Sequence, residues 1–586
     1  MAINVLPKTK TPKGEHAMRT RRTLYPQTSE MYICELDQCP LCGEQLELSR
    51  YSSGHKIVQN LSSTVEVGYW PKQCDSPSCT NYGEKWRSSE WQQIAPMYCT
   101  YGFDVITTIG WQRQASRCTF EEIHSALASK IIISEAQVRH LYHERYLPLL
   151  ASQERTRWKE LEQVSREIGL ILSLDGLAPE GGEPQLWVVR ELQTGLTVRS
   201  GWLSEQGQHA FENFLRPIAE TDLTVRAVLS DKQRGLLPAV NEIFPEARHA
   251  FCQLHYLKNI AEPAASADET MKVELRKKVR EKAGEIIRPE HVEEPGVLTV
   301  TGLLPSAVIE NPTAEGKTEQ HSVDQVEQER QSIVDSLIRR VRYLLTLKGR
   351  PPFRMAGIEM YQGFREVCDC LEVFIAHISD ERLIRLQHGL SEALKYFTDD
   401  YDQLSEVAGW LIHISTLLDP DENPSRTGDE VENELVEYLD QLLEQNKDNP
   451  TLFIFASKIR KTTRNYASGL FHTYDVPALP RTNNDRESEF RGLNQRLLRT
   501  TGQKGATKRM IQRSGAWELI PRPGNLEETI SVFSSVDMDL FREERQRLCN
   551  HRSRFKLHTR SGKKVRTELE KLTARWLELP QDNQKR

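Results

Sequence analysis

The chain changes its hydrophobic rhythm several times along its length. Between residues 103 and 147 apolar positions recur at helical spacing. The stretch TFEEIHSALASK opens on Thr119 and carries Glu122 three places later. That predicts a capping box ahead of a helix whose face holds Phe120, Ile123 and Leu127. IIISEAQVRHLYHERY repeats the scheme, with Ser134 as the cap, Gln137 at the third position, and Val138, Leu141 and Tyr142 apolar. Two short capped helices with a tight link predict a helix-turn-helix. An ordinary helical hairpin would give the same pattern. In the first case Gln137, Arg139, His140 and His143 are the side chains set to reach DNA.

From about residue 168 the period shortens. IGLILSL, PQLWVVREL, LTVRSGWLS and LTVRAVLS are short, β-branched and apolar, with glycine or polar breaks between them. The first three are close enough for an antiparallel meander, and a helical stretch, EQGQHAFENFLRPIAE, precedes the fourth. A helix in KQRGLLPAVNEIFPEA, a strand in RHAFC and a helix from QLHYLKNIA follow. The order β-β-β-α-β-α-β-α is that of a ribonuclease-H-like sheet. Beyond about residue 262 the pattern is helical to about 470. It is broken at 293–330 by a segment rich in Pro, Gly, Thr and Glu, expected to be a loop or disordered. No fixed-period repeat is present.

Within this pattern LILSLDG poses a physical question. Five apolar or small residues lead directly to Asp175. Burying a carboxylate is costly unless it is paired or binds metal. Asp175 is therefore a turn residue just past a strand or a metal ligand at the mouth of a sheet. Asp231 ends the fourth strand in the same way. Ligands of open sheets bind at strand ends, so on neighbouring strands the two carboxylates could share a metal. A third acid is available in RTNNDRESEFRGLNQRLLRTTG, where Asn483 and Asn484 can cap a helix carrying Glu487, Glu489, Phe490, Leu493, Leu497 and Leu498. Glu487 and Glu489 are about 200° apart on a helix, so only one can face a given point. Leu498 extends the apolar face toward Glu487 and favours it. Three carboxylates suit two Mg²⁺ (or Mn²⁺) ions about 3.5–4 Å apart. Taken singly, each acid is as well explained as a turn former or a solvated side chain.

Composition narrows the class. The chain has 586 residues, 38% hydrophobic and 27% charged, which fits several soluble globular domains and argues against a disordered protein. No apolar run approaches the roughly 18 residues of a membrane span. The basic N-terminus lacks the apolar core of a secretory signal, so a cytoplasmic or nucleoid location is expected. There the 11 cysteines read as metal ligands or buried thiols. Cys39-Pro-Leu-Cys42-Gly is a metal knuckle, and Cys74 and Cys79 supply a second pair, so a closed structural Zn²⁺ site is expected, with Cys34 a spare. The net charge is −6, but from Arg481 onward 24 Lys/Arg face 14 Asp/Glu, leaving that end near +10 and the rest near −16. Such a tail is a solvated face or a polyanion-binding surface.

SLDG, LSDKQRGLLPAV with FPEARHAFCQLHYLKN, and TNNDRESEFR with TTG together resemble the three acidic blocks of DDE transposases, above all the Mutator-like superfamily and related bacterial insertion-sequence transposases. The likeness extends to Phe244-Pro245 after the second Asp, to Cys252 and His255, to the about 255 residues between Asp231 and Glu487, and to Thr482-Asn483. It implies a metal-binding triad of Asp175, Asp231 and Glu487, with Cys252 and His255 beside it. It also implies DNA-end recognition by the N-terminal modules and phosphate contact by Arg486, Arg491, Arg496, Arg499, Lys504, Lys508 and Arg509. Trp410 could stack a flipped base, although a core role is the commoner one.

The expected architecture is a multidomain α+β chain. It comprises a flexible basic arm (1–30), a zinc ribbon (31–100) and a helix-turn-helix (101–160). A ribonuclease-H-like core (165–262) then meets a large all-α insertion (263–478), resumes at 479–520 with the Glu, and leads to a basic helical C-terminus (521–586). The expected activity is DNA strand cleavage and transfer at element terminal repeats and target DNA, by a dimer or larger assembly on DNA and without a membrane. A transposase-derived DNA-binding regulator and a stand-alone nuclease of the same fold are the alternatives.

Overall fold

The computed structural model describes residues 3–4, 24–177, 185–288, 323–351, 354–419, 425–503, 505–553, 555 and 562–577. Most of the expected N-terminal arm and most of the expected loop at 293–330 lie outside these residues. The last part of that loop is instead helical, because the helix Val323–Leu344 starts within it. Contacts divide the chain into two units, 1–249 with 483–586, and 250–482.

The first unit begins with a small sheet whose strands Thr28–Ile33, Thr64–Trp70 and Ser53–Gln59 bury Val58, Val65, Val67 and Tyr69 against Trp91. Three two-residue strands, Glu47–Leu48, Lys72–Gln73 and Lys85–Trp86, form a second sheet beside the cysteines. Helices follow: α1 (Phe103–Gln114), α2 (Phe120–Ala128), α3 (Glu135–Leu141) and α4 (Leu147–Thr156). The capping box ahead of α2 forms as its sequence dictates: Glu122 N–H donates to Thr119 Oγ1 at 3.1 Å, and Thr119 N–H donates to Glu122 Oε2 at 2.6 Å. Ser134 Oγ accepts from Gln137 N–H at the start of α3. One π-helical turn, Tyr142–Tyr146, joins α3 to α4 and stacks the two tyrosine rings 5.6 Å apart in the core. Tyr146 lies so close to Gly110 that an added Cβ there would sit 1.9 Å from its ring.

Ile106, Ile109, Ile123, Val138, Leu141, Tyr142 and Tyr146 share their core with Phe533, Val536 and Phe541. These come from the C-terminal helices and the turn between them. The N-terminal and C-terminal helical stretches, read from sequence as separate regions, thus bury one apolar surface together. Short helices with a single greasy stripe gain stability only by such packing.

The central sheet has strands β1 (Leu170–Leu177), β2 (Gln185–Glu191), β3 (Thr197–Leu203), β4 (Val225–Ser230) and β5 (Arg248–Phe251), in the spatial order β3-β2-β1-β4-β5. β1, β2 and β3 form an antiparallel meander, and β4 runs parallel to β1. Alternation along β1 assigns its two faces. Leu170, Leu172 and Leu174 pack with Leu161, Phe211, Leu215 and Val240 from the helices Trp158–Glu167, Gln208–Ala219 and Leu236–Ile243. Leu177 on the other face joins Leu186 and Val188 of β2 against Phe490, Leu493 and Leu497 of α5 (Asn484–Thr501). After α5 come α6 (Lys508–Ser514), α7 (Leu526–Ser534) and α8 (Met538–Ser553).

The second unit is helical. Its longest helix, Gln253–Ile287, buries Tyr256, Leu257, Ile260, Met271 and Leu275. Tyr256 hydroxyl bonds Thr463 Oγ1 at 2.8 Å, and Asp268 accepts the first free N–H groups of the helix Ala356–His377. Trp410 is a buried core side chain, which leaves no ring for base stacking in this arrangement.

Truncating Phe533, fully buried in the shared helical core, to Ala is expected to cost about 3–5 kcal/mol of stability in chemical denaturation. Amide exchange in α1, far away in sequence, should accelerate in step. Unchanged protection of α1 would show that the two stretches fold independently.

Candidate catalytic rim and metal centre

The two aspartates meet through strand register. Leu174 on β1 pairs with Ser230 on β4, the last residue of that strand. Asp175 and Asp231 are the next residues along, on adjacent parallel strands whose backbones run about 4.8 Å apart. Asp175 does not follow the strand, as a turn residue would. β1 continues through it, paired with β2 as Asp175 to Val188, Gly176 to Trp187 and Leu177 to Leu186. Only the β4 side stops, so the sheet has a step at this point. Both aspartates are half-buried. Asp175 Oδ1 accepts from Gly176 N–H at 2.7 Å. Ser230 beside Asp231 is fully buried, and its hydroxyl bonds His249 Nε2 at 2.8 Å.

Asn483 links α5 to this step. It stands immediately before α5, buried, yet its side chain does not cap the helix. The expectation of a cap at Asn483 is corrected here: Oδ1 accepts from Ser173 Oγ at 2.5 Å, and Nδ2 donates to Leu174 O at 3.5 Å. The amide is spent on the strand rather than on its own helix. Asp175 therefore lies on the β1 face between Ser173, bonded to Asn483, and Leu177, packed in the cluster of Phe490 and Leu493. The corresponding span of α5 is its first two turns, which contain positions 487 and 489. The side chains of 484–489 lie outside the described residues, so Arg486, Glu487 and Glu489 are located by backbone alone. Leu498, expected to extend the buried face toward Glu487, is 50% exposed and does not do so. Sequence reading missed Ser173 and took Asn483 for a helix cap. The signal was the lone hydroxyl in an otherwise greasy strand, two residues before the acid.

The far end of α5 is also fixed. Arg496 is buried and forms an ion pair with Glu518 at 2.9 Å, both side chains 8% exposed. Glu518 also accepts from the Tyr142 hydroxyl at 2.7 Å, and burial with the nearby Glu518 carboxylate pushes that phenol far above its ordinary range. Arg496 was expected at a DNA surface; it is structural instead. His143 differs in the same way: it is buried, bonds Ser514 Oγ at 3.0 Å, and burial holds its imidazole well below the usual value. Among the other candidates, His140, Arg491 and Arg509 are exposed and Gln137 is half-buried. Arg139 pairs with Glu135 at 2.5 Å and Arg499 with Glu122 at 2.6 Å. Lys504 and the Lys508 side chain lie outside the described residues. Cys252, buried, and His255, half-buried, open the long helix of the second unit.

Cys39, Cys42, Cys74 and Cys79 bring their sulfurs within 4.8 Å of one another. The Cys39–Cys79 and Cys42–Cys74 sulfur separations are 3.8 and 3.7 Å. Four thiolates at about 2.3 Å around one zinc would stand about 3.8 Å apart, so the cluster fits a tetrahedral Zn²⁺. Gly43 makes the knuckle turn with φ +73°, and its N–H donates to Cys39 O at 2.9 Å. The backbone N–H groups of Cys42 and Leu41 lower the Cys39 thiol, whereas burial and the neighbouring thiols raise those of Cys42 and Cys74. Cys34 is buried but does not belong to this group.

The first unit thus combines a four-cysteine module with an α/β sheet whose rim carries two aspartates in register. Residues 198–285 match the family model described as Transposase, Mutator family. The match supports a Mutator-like transposase. It runs from β3 into the helix Gln253–Ile287 and includes Asp231, Cys252 and His255, but not Asp175 or Glu487. No curated protein matches the chain.

The purified protein is expected to carry one zinc ion per chain by elemental analysis. Cys74→Ser should abolish that content and loosen residues 39–86, read by limited proteolysis. A metal-free wild type that stays folded would reject the zinc assignment.

Proposed function

We propose that this protein is a DNA transposase that binds the terminal repeats of a mobile element and performs Mg²⁺-dependent strand cleavage and strand transfer through Asp175, Asp231 and Glu487. The single observation that carries the reading is the juxtaposition at the sheet step: Asp175 and Asp231 next to a register pair, and the start of α5 tied by Asn483 to the same strand. A strand order of β3-β2-β1-β4-β5, with β4 parallel to β1, supports a ribonuclease-H-like core. The residues 250–482 would be the helical insertion in that core.

The donor set fits hard divalent cations, since all three groups are carboxylates and Asp175 and Asp231 are half-buried. Bound Mg²⁺ or Mn²⁺ would activate a water or 3′-hydroxyl and neutralise the leaving oxygen. The chain's own task is positioning. Paired backbones fix Asp175 and the strand that leads to Asp231, and Asn483 and Arg496 hold α5 near both its ends. Glu487 is preferred to Glu489 on the resemblance to DDE transposases. The Zn²⁺ module and the helices α2 and α3 would engage double-stranded DNA. Joint cutting of two element ends would require a dimer or larger assembly, acting in the cytoplasm or on the nucleoid.

Asp175→Asn and Asp231→Asn should each lower Mg²⁺-dependent nicking of a cognate DNA end by about a thousandfold while leaving end binding intact. Glu487→Gln should match them, and Glu489→Gln should not. Full nicking by Asp175→Asn would refute the triad. Binding without any nicking by the wild type would identify a transposase-derived regulator, and nicking without strand joining a nuclease.

A further inference from the structure

A cleft of about 460 Å³ opens between α3, the π turn after it and α6, lined by Glu135, Arg139, His140, His143, Glu144 and Arg513. Its lining holds two acids and two arginines, and both acids are already engaged. Glu135 is taken up by Arg139, and Glu144 by Arg552. Arg552 is in turn spent on the carbonyls of Arg513 and His143. Arg513 makes no ion pair or hydrogen bond through its side-chain nitrogens among the described residues, and neither do Arg509 or Arg545. Partial burial, then the guanidiniums of Arg139, Arg552 and Arg509, push the Arg513 side chain below its ordinary range. His140 is lowered by burial and by Arg145, Arg545 and Arg552, against a raising effect of Glu144. Such mutual opposition is the mark of surplus positive potential.

We infer that this cleft is a backbone-binding site for duplex DNA, built jointly by α3 and the C-terminal helices, with Arg513 at its floor and Arg509 and Arg545 beside it. The inference rests on the transposase reading and deepens it, by moving phosphate contact away from the buried Arg496. Arg509 and Arg513 are four residues apart on α6 and share a face. Arg545 comes from a different helix, α8. Cations drawn from two helices suit a chain of phosphates better than one small anion. The floor of the cleft also explains why the C-terminal helices share a core with α1–α3: the common core holds both walls rigid.

The test is anisotropy of a labelled duplex bound by the full chain over a series of salt concentrations, with chelator present to prevent cutting. Arg513→Ala and Arg545→Ala should each weaken binding about tenfold and lower the salt slope by about one. Arg513→Lys should recover most of the affinity, and Arg166→Ala, on a different helix, should change neither quantity. Should Arg513→Ala misfold, Arg545→Ala and Arg513→Lys carry the comparison. Tight wild-type binding that neither alanine variant weakens would overturn this site while leaving the transposase reading standing. Equal losses in Arg166→Ala would also overturn it, as a general charge effect. A wild type that binds no duplex would remove both.

Discussion

The bond between Ser173 and Asn483 joins residues 310 positions apart, and the candidate site depends on it. A helix carrying a third carboxylate has no reason to lie at a sheet rim unless something there needs its backbone. Here a buried hydroxyl and a buried amide satisfy one another inside an apolar strand, where either alone would cost about 1–3 kcal/mol. The same amide reaches Leu174 O, the residue whose register partner is Ser230. One polar contact therefore ties the register of two strands to the start of α5. The apolar contacts of Phe490, Leu493 and Leu497 supply the burial energy, but they would tolerate a shift along the sheet. The amide, with its directional partners, does not.

Arg496 performs the matching task farther along the helix. A buried ion pair is weak evidence for stability, but removing one partner leaves an uncompensated charge and costs about 3–5 kcal/mol. Glu518 is shared between Arg496 and the Tyr142 hydroxyl, so the helix of the candidate triad and the segment following α3 are bound to one carboxylate. The link is contiguous, and it holds only while the buried node stays satisfied.

How much of this could be read from the sequence differed with the kind of constraint. Local rules were legible: Thr119 with Glu122 and Ser134 with Gln137 form their caps because both partners lie within one turn. The strands of the central sheet were legible because period-two and greasy runs are local signals. Long-range satisfaction was not. Asn483 reads as a cap by composition, and only the presence of Ser173 across the sheet diverts it. Leu498 reads as core, but the face of α5 that meets β1 and β2 excludes it. His143 and Arg496 read as surface cations, since nothing in their own segments reveals Ser514 or Glu518. The four cysteines were an exception among distant residues, because thiolate chemistry allows few other reasons for two close pairs.

The basic C-terminus shows the same limit in electrostatic form. A surplus near +10 after Arg481 suggests a broad polyanion-binding tail. Part of that charge is used internally. Arg499 meets Glu122 and Arg552 meets Glu144, acids of the segment 119–146 that lie outside the tail, so the positive tail is partly the counter-charge of the helices it packs on. Arg496 with Glu518 and Arg547 with Glu544 are pairs within the tail and leave its net charge unchanged. What remains available to a ligand is a smaller set, which includes cations whose neighbouring acids, Glu135 and Glu144, are already paired. Net charge of a segment therefore measures the demand of its neighbours as well as its appetite for a partner. The decisive quantity is what is left after internal pairing: ten Lys/Arg against four Asp/Glu fall in residues 554–586, and only a smaller share of the surplus, Arg509, Arg513 and Arg545 among it, belongs to the helices nearer α3.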